Sequence, residues 1–351
     1  MKWLKPNPDL YKVPFTADEF NGMPYRSLGA TGLKVSNVGL GTWKMGFPET
    51  GDGSRVDEKT AYRIFDAAVE NGVTFWDTAN RYNGASGNAE RLIGRWLKNN
   101  PDQRRNMVIA TKLYGGMDGR TPNHSRLSRA NILESVYASL KRMQIETIDV
   151  LYFHRFDDQT PIQESLAAIE DLTKRDMIRY FAVSNFTVNQ LHQYQAAEKN
   201  YSCRCRVSAV QNYFEILSKE RADAEGVLGY CAKSRISFVA YSPLAGGLLT
   251  DRYIDPSQAS DGDRLVDEGK LEHAATETVV EKLKKLNRLA RESGLQLNQL
   301  ALAYMLTLPG MGPLIPAAST PEQLVSNAQA GTTVLSDEQK KQVRLILNTA
   351  S

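Results

Sequence analysis

The chain has little cysteine, little histidine and no long apolar run. Cys203, Cys205 and Cys231 are an odd and sparse set among 351 residues, which argues against a disulfide framework. The pair Cys203 and Cys205 has no two further ligands close by, so no metal site is expected there. The four histidines, His124, His154, His192 and His273, are scattered along the chain, which disfavours a metal-dependent hydrolase. No apolar stretch approaches the ~20 residues that cross a bilayer, so no membrane partner is expected. Residues 1–20 mix charge and proline around no apolar centre and do not read as a signal peptide. Residues 1–22 are read as a polar leader and residues 23–351 as one domain. The net charge is only +3, from 43 Lys and Arg against 40 Asp and Glu. With no basic block interleaved with aromatics, nucleic-acid binding is disfavoured. These absences point to a cytoplasmic protein, and nothing in the sequence marks an oligomer interface.

What is present is a soluble globular composition, 42% hydrophobic and 24% charged, in a chain long enough for one large barrel or two ordinary domains. Residues 25–28 and 33–35 flank Gly29-Ala30-Thr31-Gly32, which predicts a hairpin. Strand-like runs follow at 38–42, 73–76, 107–111, 148–153, 178–183, 207–210, 236–240 and 312–315. Helical spacing of apolar residues separates them, at 57–71, 88–97, 128–143, 161–174, 188–198, 219–234, 276–294 and 297–306. Further helices are predicted at 321–328 and 336–348, and a polar insertion spans 251–273. The strands are mostly continuous apolar runs, as parallel strands covered on both faces require. Eight such strands fit a closed α/β barrel, a (β/α)8 TIM barrel with an N-terminal hairpin and extra C-terminal helices.

Asp77, Tyr82, Lys112 and His154 sit at or just past the ends of three of these strands, where such a barrel keeps its chemistry. A phenol, an ammonium, a carboxylate and an imidazole can together move a proton. Reduction of a carbonyl puts negative charge on oxygen, so it needs a proton donor and a polar cradle. On this reading Tyr82 gives the proton and Lys112 pulls its pKa below the usual ~10. Asp77 holds Lys112, and His154 donates to the carbonyl oxygen.

The stretch Phe75-Trp76-Asp77-Thr78-Ala79-Asn80-Arg81-Tyr82-Asn83-Gly84, with Thr111-Lys112, Phe153-His154, Val183-Ser184-Asn185 and Tyr241-Ser242-Pro243-Leu244, resembles the aldo-keto reductases over nearly the whole chain. The resemblance implies an NADP(H)-dependent oxidoreductase that interconverts an aldehyde, ketone or sugar with its alcohol, with NAD(H) as a second coenzyme. It implies that Gly41, Thr42, Trp43 and Asp77 bind the coenzyme and that Ser184, Asn185 and Gln211 hold its nicotinamide carboxamide, with Tyr213 stacked on the ring. It further implies that Tyr241, Ser242, Pro243, Leu244, Gly246, Gly247 and Arg252 wrap the pyrophosphate, and that Ser319, Gln323 and Asn327 hold the adenosine. Trp43, Tyr82 and His154 would line the substrate mouth. Many members read Ile-Pro-Lys-Ser followed by an arginine, cations that hold the 2′-phosphate. Here Ile315-Pro316-Ala317-Ala318-Ser319 replaces them, which predicts a weaker preference for NADP(H).

The potassium-channel β-subunits are similar across the same segments, and the resemblance to them implies the alternative of a coenzyme-binding regulatory subunit. Their histidine position is altered, whereas His154 is intact here. A glycosidase would need two opposed carboxylates at strand ends, and only Asp77 with Asp157 or Asp158 of a loop is available. The pocket loops at 44–56, 114–126 and 251–273 are polar, which suits a sugar or other polyhydroxy substrate.

Overall fold

Three short antiparallel strands open the chain in the computed structural model, which describes residues 17–117, 119–202 and 205–348. They are β1 (Glu19–Phe20), β2 (Met23–Ser27) and β3 (Lys34–Ser36). Glu19 and Phe20 fall within the segment read as a leader, yet they pair with Pro24 and Met23 of β2. Residues 1–16 of that leader, Cys203 and residues 349–351 lie outside the described residues.

Eight parallel strands follow in sequential order: β4 (Leu40–Gly41), β5 (Phe75–Asp77), β6 (Val108–Leu113), β7 (Ile148–Phe153), β8 (Ile178–Ser184), β9 (Val207–Tyr213), β10 (Ser237–Tyr241) and β11 (Met311–Ile315). The ring closes between the last strand and the first. Gly39 N–H donates to the Leu314 carbonyl at 2.8 Å, Gly41 N–H to Pro316 at 3.0 Å, and Leu314 N–H to Asn37 at 3.1 Å. Helices between successive strands form the outer layer, with Glu277–Glu292 and Leu297–Met305 both preceding β11, and Pro321–Thr332 and Asp337–Leu347 following it. This is a (β/α)8 barrel.

Strand parity explains both the apolar runs and the position of the site. Side chains alternate between the faces of a strand. Leu151, Phe153, Phe181 and Val183 pack outward against the helices, whereas Phe75, Ala110, Tyr152, Ala182, Ala209 and Val239 pack together inside the ring. Two residues beyond each of these interior positions stand Asp77, Lys112, His154, Ser184, Gln211 and Tyr241. The alternation that builds the core therefore delivers six polar side chains to its upper end.

The hairpin forms the floor. Leu28 and Val35 are fully buried in the interior cluster. Arg26 donates to the Met311 carbonyl at 2.9 Å, and Gly29 N–H donates to Ser237 Oγ at 2.7 Å. Gly29 has φ +61°, and a Cβ there would collide with the Ser208 carbonyl oxygen, so the floor requires glycine at this turn.

Two elements are clearly shorter than the sequence reading. The helix expected over 219–234 begins only at Val227. The cause is Glu220, whose carboxylate accepts from Gly226 N–H at 2.8 Å and Leu228 N–H at 2.7 Å, fixing the start of the helix as a cap does. The strand expected over 38–42 shortens to Leu40–Gly41, and Val38 instead makes the closing bridge to Leu314. No described helix is long and apolar enough to cross a membrane.

Leu28→Ala removes the buried side chain that closes the floor. It is expected to lower stability by ~2–5 kcal/mol, as other buried leucine truncations do, measured from urea unfolding. A loss within ~0.5 kcal/mol, the range of surface substitutions, would show that the hairpin does not carry the floor.

Candidate functional site

Asp77 is the last residue of β5, Lys112 lies near the end of β6, and His154 directly follows β7. Tyr82 arrives from the turn after β5, where Asn83 (φ +54°) and Gly84 (φ +67°) reverse the chain. Asn83 Nδ2 fixes this turn by donating to the Met45 carbonyl at 2.7 Å. The four residues meet. Lys112 Nζ donates to Asp77 Oδ2 at 2.6 Å, to Tyr82 Oη at 2.9 Å and to the Thr78 carbonyl at 2.8 Å. An ammonium has three N–H donors, and all are engaged. The Tyr82 and His154 rings lie edge to face with centroids 6.1 Å apart. Lys112 and Asp77 are buried, at 1% and 3% exposure.

The electrostatics differ from the expectation for Tyr82. Burial, and after it the Asp77 carboxylate, hold the phenol well above its ordinary value of 10.0. The anticipated lowering by Lys112 is outweighed first by burial, and then by the carboxylate that shares the ammonium and repels the phenolate. Burial pulls Lys112 below 10.5, opposed by Asp77. His154 is pushed from 6.5 to about 3 by burial and then by Lys112. At neutral pH the site thus presents a protonated phenol beside a neutral imidazole. The Tyr82 hydroxyl accepts from Lys112 at 2.9 Å and donates to Asp77 Oδ2 across a long 3.4 Å. A bond that long holds the phenolic proton only weakly.

A cavity of about 1080 Å³ opens above the cluster, lined by Asp77, Tyr82 and His154 at one end and by the start of helix Pro321–Thr332 at the other. Gly41, Trp43, Ser184, Asn185, Gln211, Tyr241, Ser242, Pro243, Leu244, Gly246, Arg252, Ser319, Gln323 and Asn327 all line it. Gln211 has a further contact that the sequence did not suggest, since its Nε2 donates to Asp77 Oδ1 at 2.8 Å. The Asn185 side chain accepts from Tyr241 Oη at 2.9 Å and donates to the His154 carbonyl at 3.0 Å. Asn185 (φ +57°) and Ser242 (φ +53°) adopt left-handed backbone conformations that non-glycine residues rarely hold.

Two expected positions fall elsewhere. Thr42 is fully buried and outside the lining, and its hydroxyl donates to the Asp77 carbonyl at 3.0 Å. Tyr213 does not line the cavity; its hydroxyl donates to Glu215 at 3.4 Å, whereas its register partner Tyr241 is among the lining residues. Asp157 accepts from Leu127 N–H, Gln159 N–H and Arg126, so it organises its own loop and does not oppose Asp77.

Arg81, Gln296, Asn298 and Ser326 also line the cavity and were missed from the sequence, whereas Lys44, Arg55 and Arg264 come from the loops expected to shape it. Asn298 Nδ2 donates to Ser326 Oγ and Asn327 Oδ1, each at 2.9 Å, which joins two helices into one polar wall. Among the described residues no group of His, Cys, Asp and Glu has the makings of a metal site.

The model of the aldo/keto reductase family matches residues 37–348. The chain belongs to this family. Among its relatives are proteins called probable voltage-gated potassium channel subunit beta in Oryza sativa subsp. japonica and in Arabidopsis thaliana, at 31% and 30% identity. Each match covers 88% of this chain and 91% of the relative. Family members generally bind nicotinamide coenzymes and act as oxidoreductases.

The depressed His154 pKa gives a pH test with a defined sign. The unfolded chain takes up a proton at this histidine as pH falls through 6.5, whereas the folded protein does so only near 3. Stability contributed by neutral His154 is therefore lost as pH drops below 6.5. Imidazole NMR of the folded protein is expected to show His154 neutral from pH 8 to 5, and a midpoint near 6.5 would contradict the burial argument.

Proposed function

We propose that the protein catalyses reversible, NADP(H)-dependent reduction of an aldehyde, ketone or sugar carbonyl, with Tyr82 as general acid and base. The observation that carries this reading is Lys112 Nζ held at 2.6 Å from Asp77 and 2.9 Å from Tyr82 beneath a cavity that His154 also lines.

The lining suits a nicotinamide dinucleotide in extended form. Ser184, Asn185 and Gln211 offer amide and hydroxyl groups for the carboxamide, and Tyr241 an aromatic face for the ring. Gly246, at φ +71°, lets backbone approach closely beside Arg252, which suits a pyrophosphate. Ser319, Gln323 and Asn327 would hold the adenosine end at the N-terminus of helix Pro321–Thr332, where backbone N–H groups favour an anion. When bound, the coenzyme supplies or accepts a hydride at the carbonyl carbon.

The protein supplies the proton and its control. His154, neutral, donates an N–H to the carbonyl oxygen and orients it. Tyr82 transfers its phenolic proton as charge builds on that oxygen. The Lys112 ammonium then faces the phenolate directly, so the charge made by proton transfer appears beside a preorganised cation. Asp77, fixed by Gln211, keeps that ammonium charged and in place. The raised Tyr82 pKa suits a proton that leaves only when the substrate oxygen becomes basic.

Coenzyme choice follows from the far wall. Between Ile315 and Asn327 there is no lysine or arginine, and Glu322 lines the cavity. Gln323 already accepts from Ser319 N–H at 2.8 Å. Neutral hydrogen bonds are weaker than charge-assisted ones, so NADP(H) is preferred over NAD(H) by a modest margin. The names of the rice and Arabidopsis relatives support a second reading, a channel-associated subunit that binds coenzyme. The intact His154 favours catalysis.

Tyr82→Phe is expected to lower aldehyde reduction by ~10²–10⁴-fold, the usual worth of a general acid, with coenzyme affinity nearly unchanged. Near-wild-type turnover would remove Tyr82 from the mechanism. Lys112→Met is expected to abolish activity or raise the apparent pKa of its pH profile, since the phenolate loses its cation; an active variant with an unchanged profile would rule this out. Fluorescence titrations with NADPH and NADH are expected to give the lower Kd for NADPH, and tighter NADH binding at moderate salt would overturn the coenzyme assignment.

A further inference from the structure

Five cations line the cavity: Lys44, Arg55, Arg81, Arg252 and Arg264. Three of them are neutralised. Arg55 pairs with Asp267, Arg252 with Asp263 at 3.1 Å, and Arg264 with Glu268 at 2.9 Å. Among the described residues Lys44 and Arg81 have no carboxylate within ion-pair distance. The lining carboxylates do not balance them. Asp77 belongs to Lys112, Asp251 lies 4.0 Å from Arg291, and the Glu322 carboxylate is bonded to its own N–H and to Thr320.

Arg81 is solvent-exposed and tethered at its guanidinium. It immediately precedes Tyr82, and its guanidinium donates to the Gly116 carbonyl. Gly115 makes the slot, since a Cβ there would sit 3.0 Å from Arg81 Nε. The remaining N–H donors of a guanidinium form a fork suited to two oxygens of one anion. Lys44 is half-buried over the Trp43 ring, 4.4 Å from its centroid; burial lowers its pKa, opposed by Glu268, a carboxylate already paired with Arg264 and Lys270.

We infer that the substrate is an anionic carbonyl compound, whose carboxylate or phosphate binds Arg81 while Tyr82 and His154 hold the carbonyl oxygen. This rests on the carbonyl reduction proposed above. Lys44, on the Trp43 side of the cavity, adds a second positive charge to the potential that draws such a substrate in.

The test compares matched aldehydes that differ in charge: 4-oxobutanoate against butanal, and glycolaldehyde phosphate against glycolaldehyde. The wild-type protein is expected to show kcat/KM higher by about tenfold or more for the charged member of at least one pair, from the gain of a charge-assisted bond. Which pair responds separates a carboxylate from a phosphate. Arg81→Gln is expected to bring that ratio toward one, chiefly through KM, and Arg81→Lys to restore part of it. Isothermal titration of the Tyr82→Phe protein with NADP+ bound gives a readout without turnover. There the charged aldehyde of the responding pair is expected to bind more tightly than its neutral partner, and Arg81→Gln to remove the difference. Equal reduction and equal binding of charged and neutral members would overturn the inference alone. Failure to reduce any of the four aldehydes would overturn the reading of function, and the titration would still decide the anion site. A preference that survives Arg81→Gln would also overturn the assignment.

Discussion

One buried ammonium organises the upper end of this barrel. Lys112 has three donors and three acceptors, a carboxylate, a carbonyl and a phenol, all within 2.9 Å. Burying a charge is costly unless it is paired and hydrogen-bonded. That constraint fixes the neighbours: Asp77 must stay in reach, the chain after β5 must bring back the Thr78 carbonyl, and Tyr82 must close the shell. The Gln211 contact to the free oxygen of Asp77 extends the same requirement across the ring to β9. Removing any member leaves a charge or a polar atom without its partner.

The barrel makes this arrangement repeatable along the strands. Interior packing by Phe75, Ala110, Tyr152 and their neighbours sets the rotation of each strand, and the next inward position then faces the cavity. The outer face of β6 is held as firmly. Thr111 Oγ1 donates to Glu90 at 2.6 Å, and the other Glu90 oxygen accepts from Arg142 at 2.6 Å, both behind the residue that precedes Lys112. Core, strand end and outer helix therefore act on the same lysine from three sides.

Much of this was legible in the sequence, for a physical reason. Continuous apolar strands ending in titratable residues are rare without a buried barrel beneath them, so Asp77, Lys112 and His154 stood out against their runs. Tyr82 was legible through its short distance from Asp77. What escaped depends on packing at long range. Gln296, Asn298 and Ser326 lie on two helices whose mutual contact creates the polar wall, and no local spacing signals it. Arg81 lies against Gly115 of another loop, where a side chain would crowd it, and no local spacing reveals that neighbour. Tyr213, expected against the nicotinamide ring, lies outside the cavity lining, with its hydroxyl turned to Glu215, while Tyr241 lines the cavity. The Tyr82 pKa was misjudged because sequence reveals the nearby cation but not the burial that opposes it.

The central claim is that this cluster delivers a proton to an oxygen while a hydride reaches the adjacent carbon. Single-turnover reduction of an aldehyde with reduced coenzyme deuterated at the transferring position of the nicotinamide tests it most directly. The account predicts one deuterium at the carbinol carbon of the alcohol, with a solvent isotope effect on the same step. An alcohol without deuterium, or no alcohol at all from a coenzyme-loaded protein, would contradict it.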